Sequence, residues 1–467
     1  FFYVLLGLDA QRGRAAIAAP IQAPDLGNCN PPDLPNTAPD TNCCLTSGSG
    51  IGIIDFVLPP ASSAPLRVRP AAHLADAEYE RAVALMKQLP GDDPRSFEQH
   101  RAYCDGAYDQ VGFPDLEIQV HNCWLFFPWH SFALPFWNWD APAGMTLPAI
   151  YAPFPVDLDY NKIDVIIPTD EQIDQNLNIM YRQMVSGAKK TQLFMGQPYR
   201  AGDQPDPGAG SVENVPHGTM HTWTGDPAQP NSEDMGNFYS AARDPIFFAH
   251  HGNIDRLWHV WRGLRPGNAD FADADWLDTA FLFYDEEARP VRVRVRDCLD
   301  PAAMGYAYQD VGLPWLKAKP ANRSRRTPAH AAGALPATLR ETVRVKVTRP
   351  QVSRSDKEKE EAEEVLIIEG IQVVDHFKFV KFDVLVNVPE SGGDGASGYC
   401  AGSVAMTPHM IGTNKKKGSM KTVARFGVCD LMDNIGADGD KMVVVSLVPR
   451  CGGELVTIGG VSIGYTK

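Results

Sequence analysis

The histidines constrain this chain more than any other feature, because eight of the twelve fall between His100 and His259. The tightest local pattern is His217-Gly-Thr-Met-His221. Four residues of α-helix turn the chain through about 400°, so both imidazoles share one face and can hold one metal ion. No glutamate follows the first histidine, so the His-Glu-x-x-His pattern of zinc proteases is absent. In the run from Phe247 to Arg256, the residues Phe247, His251 and Ile254, with Trp258 beyond, form one helical face. That face turns His251 inward among apolar groups, where burial demands a partner for it. His251 is therefore the expected third ligand beside His217 and His221. His250 lies about 100° round the helix and is placed to support the site.

A second group comprises His100, with Cys104 one helical turn beyond it, then His121 and His130. Nine residues of regular helix turn through about 900° and set His121 and His130 on opposite faces. Pro128 also opposes a regular helix there. His121 is thus expected before the helix or at an irregular end. The result is two triads of imidazoles. All-nitrogen ligation suits copper or zinc, whereas carboxylate-bridged di-iron bundles carry Glu and Glu-x-x-His. Two such triads without carboxylates favour a pair of copper ions with dioxygen between them.

The rest of the sequence frames this centre. At 467 residues the chain suggests two or three domains. Its formal charge of −14 disfavours nucleic acid or anionic membranes as partners. No apolar run approaches the roughly 18 residues of a membrane span. Residues 1–19 read as the remnant of a targeting segment, apolar and then rich in small residues. Helical signals dominate residues 51 to about 315. Asp93-Pro94 predicts a helix start, as does Asp244-Pro245, and Thr169 with Gln172 predicts a capping box. Residues 316–340 are basic, Ala- and Pro-rich and aperiodic, and read as a linker open to proteases. Beyond them the period becomes two: Val343, Val345 and Val347 alternate with Arg344 and Lys346, and Met442–Val448 is strand-like. Residues 341–467 are therefore expected to form a small β domain. Cys29, Cys43 and Cys44 lie in a Pro- and Asn-rich stretch suited to disulfide stapling.

At these residues the sequence resembles the plant polyphenol oxidases, the coupled binuclear copper enzymes called catechol oxidases or tyrosinases. Beyond the histidines, the resemblance rests on Tyr103-Cys104-Asp105-Gly106-Ala107-Tyr108, Pro135-Phe136-Trp137-Asn138-Trp139-Asp140 and Asp275-Trp276-Leu277. It continues through Tyr306-Ala307-Tyr308 to Lys381-Phe382-Asp383-Val384. The resemblance implies a multi-domain protein. Its mainly α catalytic domain, residues 20–315, would have a four-helix-bundle dicopper core. A small C-terminal β-sandwich-like domain would shield the site until cleavage. His100, His121 and His130 would hold one copper ion and His217, His221 and His251 the other, two per chain. Cys104 would form a thioether with His121, and Cys29 a disulfide with Cys44. Phe238 would stand as an aromatic gate, and Glu213 would order a water and accept a phenol proton. Gly218 stands where tyrosinase-like members often carry Asn, which leans towards diphenols. The implied reaction is oxidation of o-diphenols to o-quinones by O2, in the thylakoid lumen of a plastid. Hemocyanin-like O2 binding and a non-catalytic relative are the alternatives.

The sequence departs from that pattern at three places. Arg101 stands where the family has a cysteine, which leaves Cys43 without its usual partner. The segment before His100 is shortened. Only Ser131 separates His130 from Phe132, where the family has a longer helical stretch. Roughly 20 residues of helix correspond to about 30 Å of bundle wall.

Overall fold

The computed structural model describes residues 19–25, 28, 37–38, 52–60, 65–71, 76–101, 120–131, 135–147, 169–321, 327–390, 398–408 and 420–466. Cys29, Cys43, Cys44 and Cys104 lie outside these residues, and with them the expected disulfide and thioether.

The N-terminal part is helical. Its helices are α1 (Asp76–Gln88), α2 (Phe97–Arg101), α3 (Phe126–Trp129), α4 (Thr169–Tyr181), α5 (Thr191–Met195), α6 (Thr219–Thr224), α7 (Phe238–Ala241), α8 (Ile246–Leu264) and α9 (Ala274–Leu277). Short strands flank them: β1 (Ile54–Asp55), β2 (Leu66–Val68), β3 (Ala280–Tyr284), β4 (Pro290–Arg294) and β5 (Tyr306–Tyr308). The order β1-β4-β3 makes one small sheet, and β2 pairs with β5. The long helix α8 starts where expected: Asp244 accepts the Ile246 amide at 3.0 Å, just past Pro245. It is buried from Ile246 to Trp258, so it runs through the middle of a core rich in tryptophan.

One helix start differs from expectation. Asp93 does not cap a helix. Its carboxylate binds the backbone amide and guanidinium of Arg95, and α2 begins later, with the Ser96 hydroxyl capping the Gln99 amide at 3.1 Å. At α4, Gln172 donates to the Asn176 side chain at 3.0 Å. That helix widens into a π-turn at Arg182–Ser186.

From Ala337 the chain is β-structured: β6 (Ala337–Thr338), β7 (Val343–Thr348), β8 (Glu363–Val373), β9 (Val380–Val386), β10 (Cys400–Met406), β11 (Met420–Gly427), β12 (Met442–Cys451), β13 (Val456–Ile458) and β14 (Gly460–Thr466). One sheet has the order β10-β9-β12-β7. The other runs β11-β8-β13-β6, with β14 also on β8. The expected alternation holds in β7, where Val343, Val345 and Val347 are buried and Lys346 is exposed. Both sheets contribute to one apolar core of Val, Ile, Leu and Phe. The helix α10 (Asp356–Glu361) buries no side chain, whereas α11 (Cys429–Asn434) sends Met432 into that core. Among the described residues, no helix is long and apolar enough to cross a membrane.

The two parts are joined through side chains as well as through the chain. Lys190 donates to the carbonyls of Glu360 and Glu361 at 2.8 and 3.2 Å, and Thr422 donates to Asp206 at 2.8 Å. Lys189 pairs with Asp430. Ala405 of β10 is counted in the helical core rather than the β core. The connection between the parts is pinned at both ends. Trp315 is fully buried in the helical core, and the Ala329 amide bonds Val388 in the β part at 2.8 Å.

Candidate metal centre

Three segments bring histidines to one point. His121 lies in the bends before α3 and His130 at its end, so the irregular entry expected from Pro128 is what separates them. His217 closes a π-turn whose helical path is broken at Val215, and His221 follows one turn later on α6. His250 and His251 lie side by side on α8. Ring centroids are 5.2 Å apart for His121 and His130, 4.2 Å for His130 and His251, and 4.6 Å for His217 and His221. One nitrogen each from His217, His221, His250 and His251 lies within 4.8 Å of the others. His100 sits half-buried on α2, and its place relative to the other five is not set by any of these contacts.

The tautomers are fixed by what each Nδ1 touches. His130 Nδ1 faces the Phe126 carbonyl at 2.7 Å and His251 Nδ1 the Phe247 carbonyl at 2.8 Å. His221 Nδ1 faces the Met235 carbonyl at 2.8 Å and His217 Nδ1 that of Glu213 at 3.2 Å. A carbonyl only accepts, so each Nδ1 carries the proton and each Nε2 presents a lone pair. Those lone pairs converge: His217 Nε2 lies 3.1 Å from both His251 Nε2 and His221 Nε2. Bare lone pairs at that distance repel unless a cation lies between them. Metal–nitrogen bonds near 2.0 Å in tetrahedral array put ligand nitrogens about 3.3 Å apart. The residues present therefore fit a metal ion held by His217, His221 and His251. His250 differs: its Nδ1 accepts the Trp139 indole N–H at 3.1 Å. An indole only donates, so the His250 proton sits on Nε2 and that ring offers no lone pair to a metal.

Burial sets the charge of these rings. It is the largest cause holding His130, His217, His250 and His251 well below the ordinary histidine pKa, and it holds His221 at about 3. All are neutral at pH 7, the form that ligates metal.

Around the rings lie the other residues expected from sequence. The Phe238 ring stacks on His121 with centroids 4.0 Å apart. Glu213 is buried and accepts from the backbone amides of Asn122 and, at 3.4 Å, Gly210. Both border a small cavity with His121, His217 and Gly218, closed on one side by Ala405, Met406 and Thr407 of the β part. Thr407 donates to the Gly218 carbonyl at 3.0 Å, and the Phe238 amide donates to the Pro408 carbonyl at 3.1 Å. The cavity that remains is about 10 Å³, room for a single water and not for a phenol ring.

The polar groups after His251 anchor helices. Asp255 accepts from Ser131 at 3.0 Å, Tyr306 at 2.9 Å and Tyr308. Asp140 accepts from Asn253, Arg256 and Trp315 at 2.9–3.0 Å. Sequence reasoning gave no sign of Trp139 or Asp140 as supports, because each meets its partner across more than 100 residues of chain, nor of Met235, which acts through its backbone carbonyl rather than its side chain.

An all-histidine, charge-neutral, buried centre in a helical core, covered by a β-structured C-terminal part, defines a tyrosinase-class metalloprotein. Comparison with known proteins agrees. The common central domain of tyrosinase matches residues 148–264, the polyphenol oxidase middle domain 270–321, and the chloroplastic polyphenol oxidase C-terminal domain 335–465. A chloroplastic polyphenol oxidase of Malus domestica is 48% identical over 538 positions, covering 99% of this chain and 89% of the relative. Aureusidin synthase of Antirrhinum majus is 44% identical, covering 99% and 92%. The solved structure of latent apple tyrosinase superposes with a TM-score of 0.81 at 46% identity, covering 89% of this chain and all of that one. The chain belongs to the plant polyphenol oxidase family. The alignment of 538 positions exceeds the 467 residues here, so the apple relative carries segments that this chain lacks. The tyrosinase match begins at residue 148, and so takes in His217, His221 and His251 but not His100, His121 or His130.

Proposed function

We propose that this protein oxidises o-diphenols to o-quinones, with O2 reduced to water, at a pair of copper ions. The observation that carries the reading is the convergence of neutral imidazole lone pairs 3.1 Å apart. His217, His221 and His251 would hold one ion, and His100, His121 and His130 the other. When bound, the copper pair supplies the redox chemistry, taking two electrons from each diphenol and passing four to each O2.

The chain's own residues do the rest. The carbonyl bonds to Nδ1 orient the ligand rings. Phe238 and the aromatic wall exclude water and offer a face to the phenol ring. Glu213, which accepts from two backbone amides, would take the proton that the substrate hydroxyl releases. Gly218, with no side chain, leaves the entrance open to a diphenol once the β part has gone. We read the helices around the centre as the four-helix bundle of the family, shortened after His130, and the two sheets as a shielding sandwich. On this reading residues 20–315 are catalytic, 341–467 shield, and the stretch free to be cut within 316–340 narrows to the part between Trp315 and Ala329. The protein is latent while Ala405–Thr407 fill the site. The names of relatives as chloroplastic place it in a plastid, and we assign it to the thylakoid lumen.

The start of the tyrosinase match at residue 148 supports a second reading, in which only the His217 group holds metal and the chain does not turn over. One experiment separates the two. Copper-loaded protein, cut between residues 316 and 328, is assayed for copper per chain and for catechol-dependent O2 uptake. Two ions with uptake is the expected result. One ion without uptake selects the second reading.

A further inference from the structure

His221 takes its tautomer from a carbonyl in the loop that follows α6, and that loop is built in an unusual way. Ser232 and Asp234 both adopt left-handed backbone, at φ 57° and 64°, although neither is glycine. Such residues persist only where the surroundings over-determine them, and they cluster at functional sites. Between them stands Glu233, one of the few buried carboxylates near the centre. Its side chain accepts from the Tyr239 hydroxyl at 2.6 Å, the Asn231 amide side chain at 2.6 Å and the Asn231 backbone N–H at 2.8 Å. Two further bonds close the loop: Ser240 donates to the Asp234 carbonyl at 3.0 Å, and the Asn237 side chain to the Asn231 carbonyl at 3.2 Å. Where the loop returns to the end of α6 its backbone is in contact, since a Cβ on Gly225 would lie 2.5 Å from the Gly236 Cα. What the loop delivers is the Met235 carbonyl, 2.8 Å from His221 Nδ1. Tyr239, the other end of the Glu233 bond, is the neighbour of Phe238, which stacks on His121.

We propose that Glu233 is a positioning residue of the metal centre: through Asn231 and Tyr239 it holds the Met235 carbonyl on His221 and the Phe238 ring over His121. One carboxylate thus orients a ligand of one triad and the cover of the other without touching metal or substrate. The inference rests on the reading of His221 as a copper ligand. Groups that orient a metal-bound imidazole typically change metal affinity ten- to a hundredfold when removed.

The test measures copper affinity by competition with a chelator, and apo-protein melting, for the full chain and for Glu233→Gln and Tyr239→Phe. Glu233→Gln is expected to weaken copper binding ten- to a hundredfold, and Tyr239→Phe by a smaller factor in the same direction. Affinity within twofold of the parent in both variants, with only the melting temperature lowered, assigns Glu233 a merely structural role and overturns the proposal. If Glu233→Gln does not fold, Tyr239→Phe decides alone by the same criterion. Failure of the parent chain itself to bind copper sinks the underlying reading instead, and is seen before any variant is made.

Discussion

At the scale of single residues, the adjacent pair His250 and His251 shows how neighbouring identical side chains acquire different chemistry. Both are buried on α8, and both bring a nitrogen close to His217 and His221. The partner of Nδ1 separates them: a carbonyl for His251 and an indole N–H for His250. Only the first leaves a lone pair for metal. His251→Gln is therefore expected to lower copper content by one ion per chain, while His250→Gln retains the full content and costs only stability, about 1–3 kcal/mol for the unpaired indole it leaves. Elemental analysis with thermal melting checks this, and equal copper loss in the two variants would refute the assignment. Much of this was legible in sequence. The spacing of His217 and His221 put both on one face, and the apolar stripe through Phe247, Ile254 and Trp258 picked His251 over His250. What was not legible was the outer ring of support. Trp139 meets His250 across 111 residues of chain, and no local pattern announces such a meeting.

At the scale of elements, the plug is one end of β10, a strand with a second duty. From end to end β10 pairs with β9, from Met406 opposite Val380 to Cys400 opposite Leu385. Near its end Ala405 packs in the helical core, while Met406 stays in the core of the sheets. Thr407→Ala removes the hydrogen bond to Gly218, worth about 1 kcal/mol. Basal catechol oxidation by the uncut chain should then rise roughly fivefold, as RT sets for that energy. Oxygen uptake before and after a complete linker cut checks it: an unchanged ratio of uncut to cut activity would show that Thr407 does not hold the plug. The alternation of Val343, Val345 and Val347 made β7 legible, and Asp244-Pro245 made α8 legible. The start of α2 was misread because Asp93 has a nearer donor in Arg95, leaving Ser96 to cap. No periodicity marks Ala405–Thr407 as the plug, because burial against a foreign core resembles burial in the home sheet.

At the scale of the whole molecule, the buried imidazoles tie stability to pH. Burial holds His130, His217, His250 and His251 well below the ordinary value, and His221 at about 3, whereas each titrates near 6.5 in an unfolded chain. Below pH 6.5 the unfolded chain binds more protons than the folded one, so metal-free protein loses stability as pH falls from 6.5. It does so by about 1.4 kcal/mol per pH unit for each ring, and above 6.5 these groups exert no further effect. Melting of chelator-treated protein at pH 7.5 and 5.0 should show a clear drop at the lower value, and equal midpoints would contradict it. The connection between Trp315 and Ala329 governs a second property. On the proposed reading, while it is intact the β part acts as a competitive inhibitor tied to its own target, at an effective concentration in the millimolar range for a short tether. A free phenol must outcompete that local excess, and diluting the protein changes nothing. Once the tether is cut, the same hydrogen bonds must hold two separate molecules together, and occupancy of the site becomes a matter of concentration. Activity per molecule of cut protein should therefore climb on dilution while that of uncut protein stays flat, and parallel flat curves would show that cutting alone does not release the plug. Whether the connection between Trp315 and Ala329 is whole or cut thus decides whether this enzyme's latency belongs to one molecule or to a population.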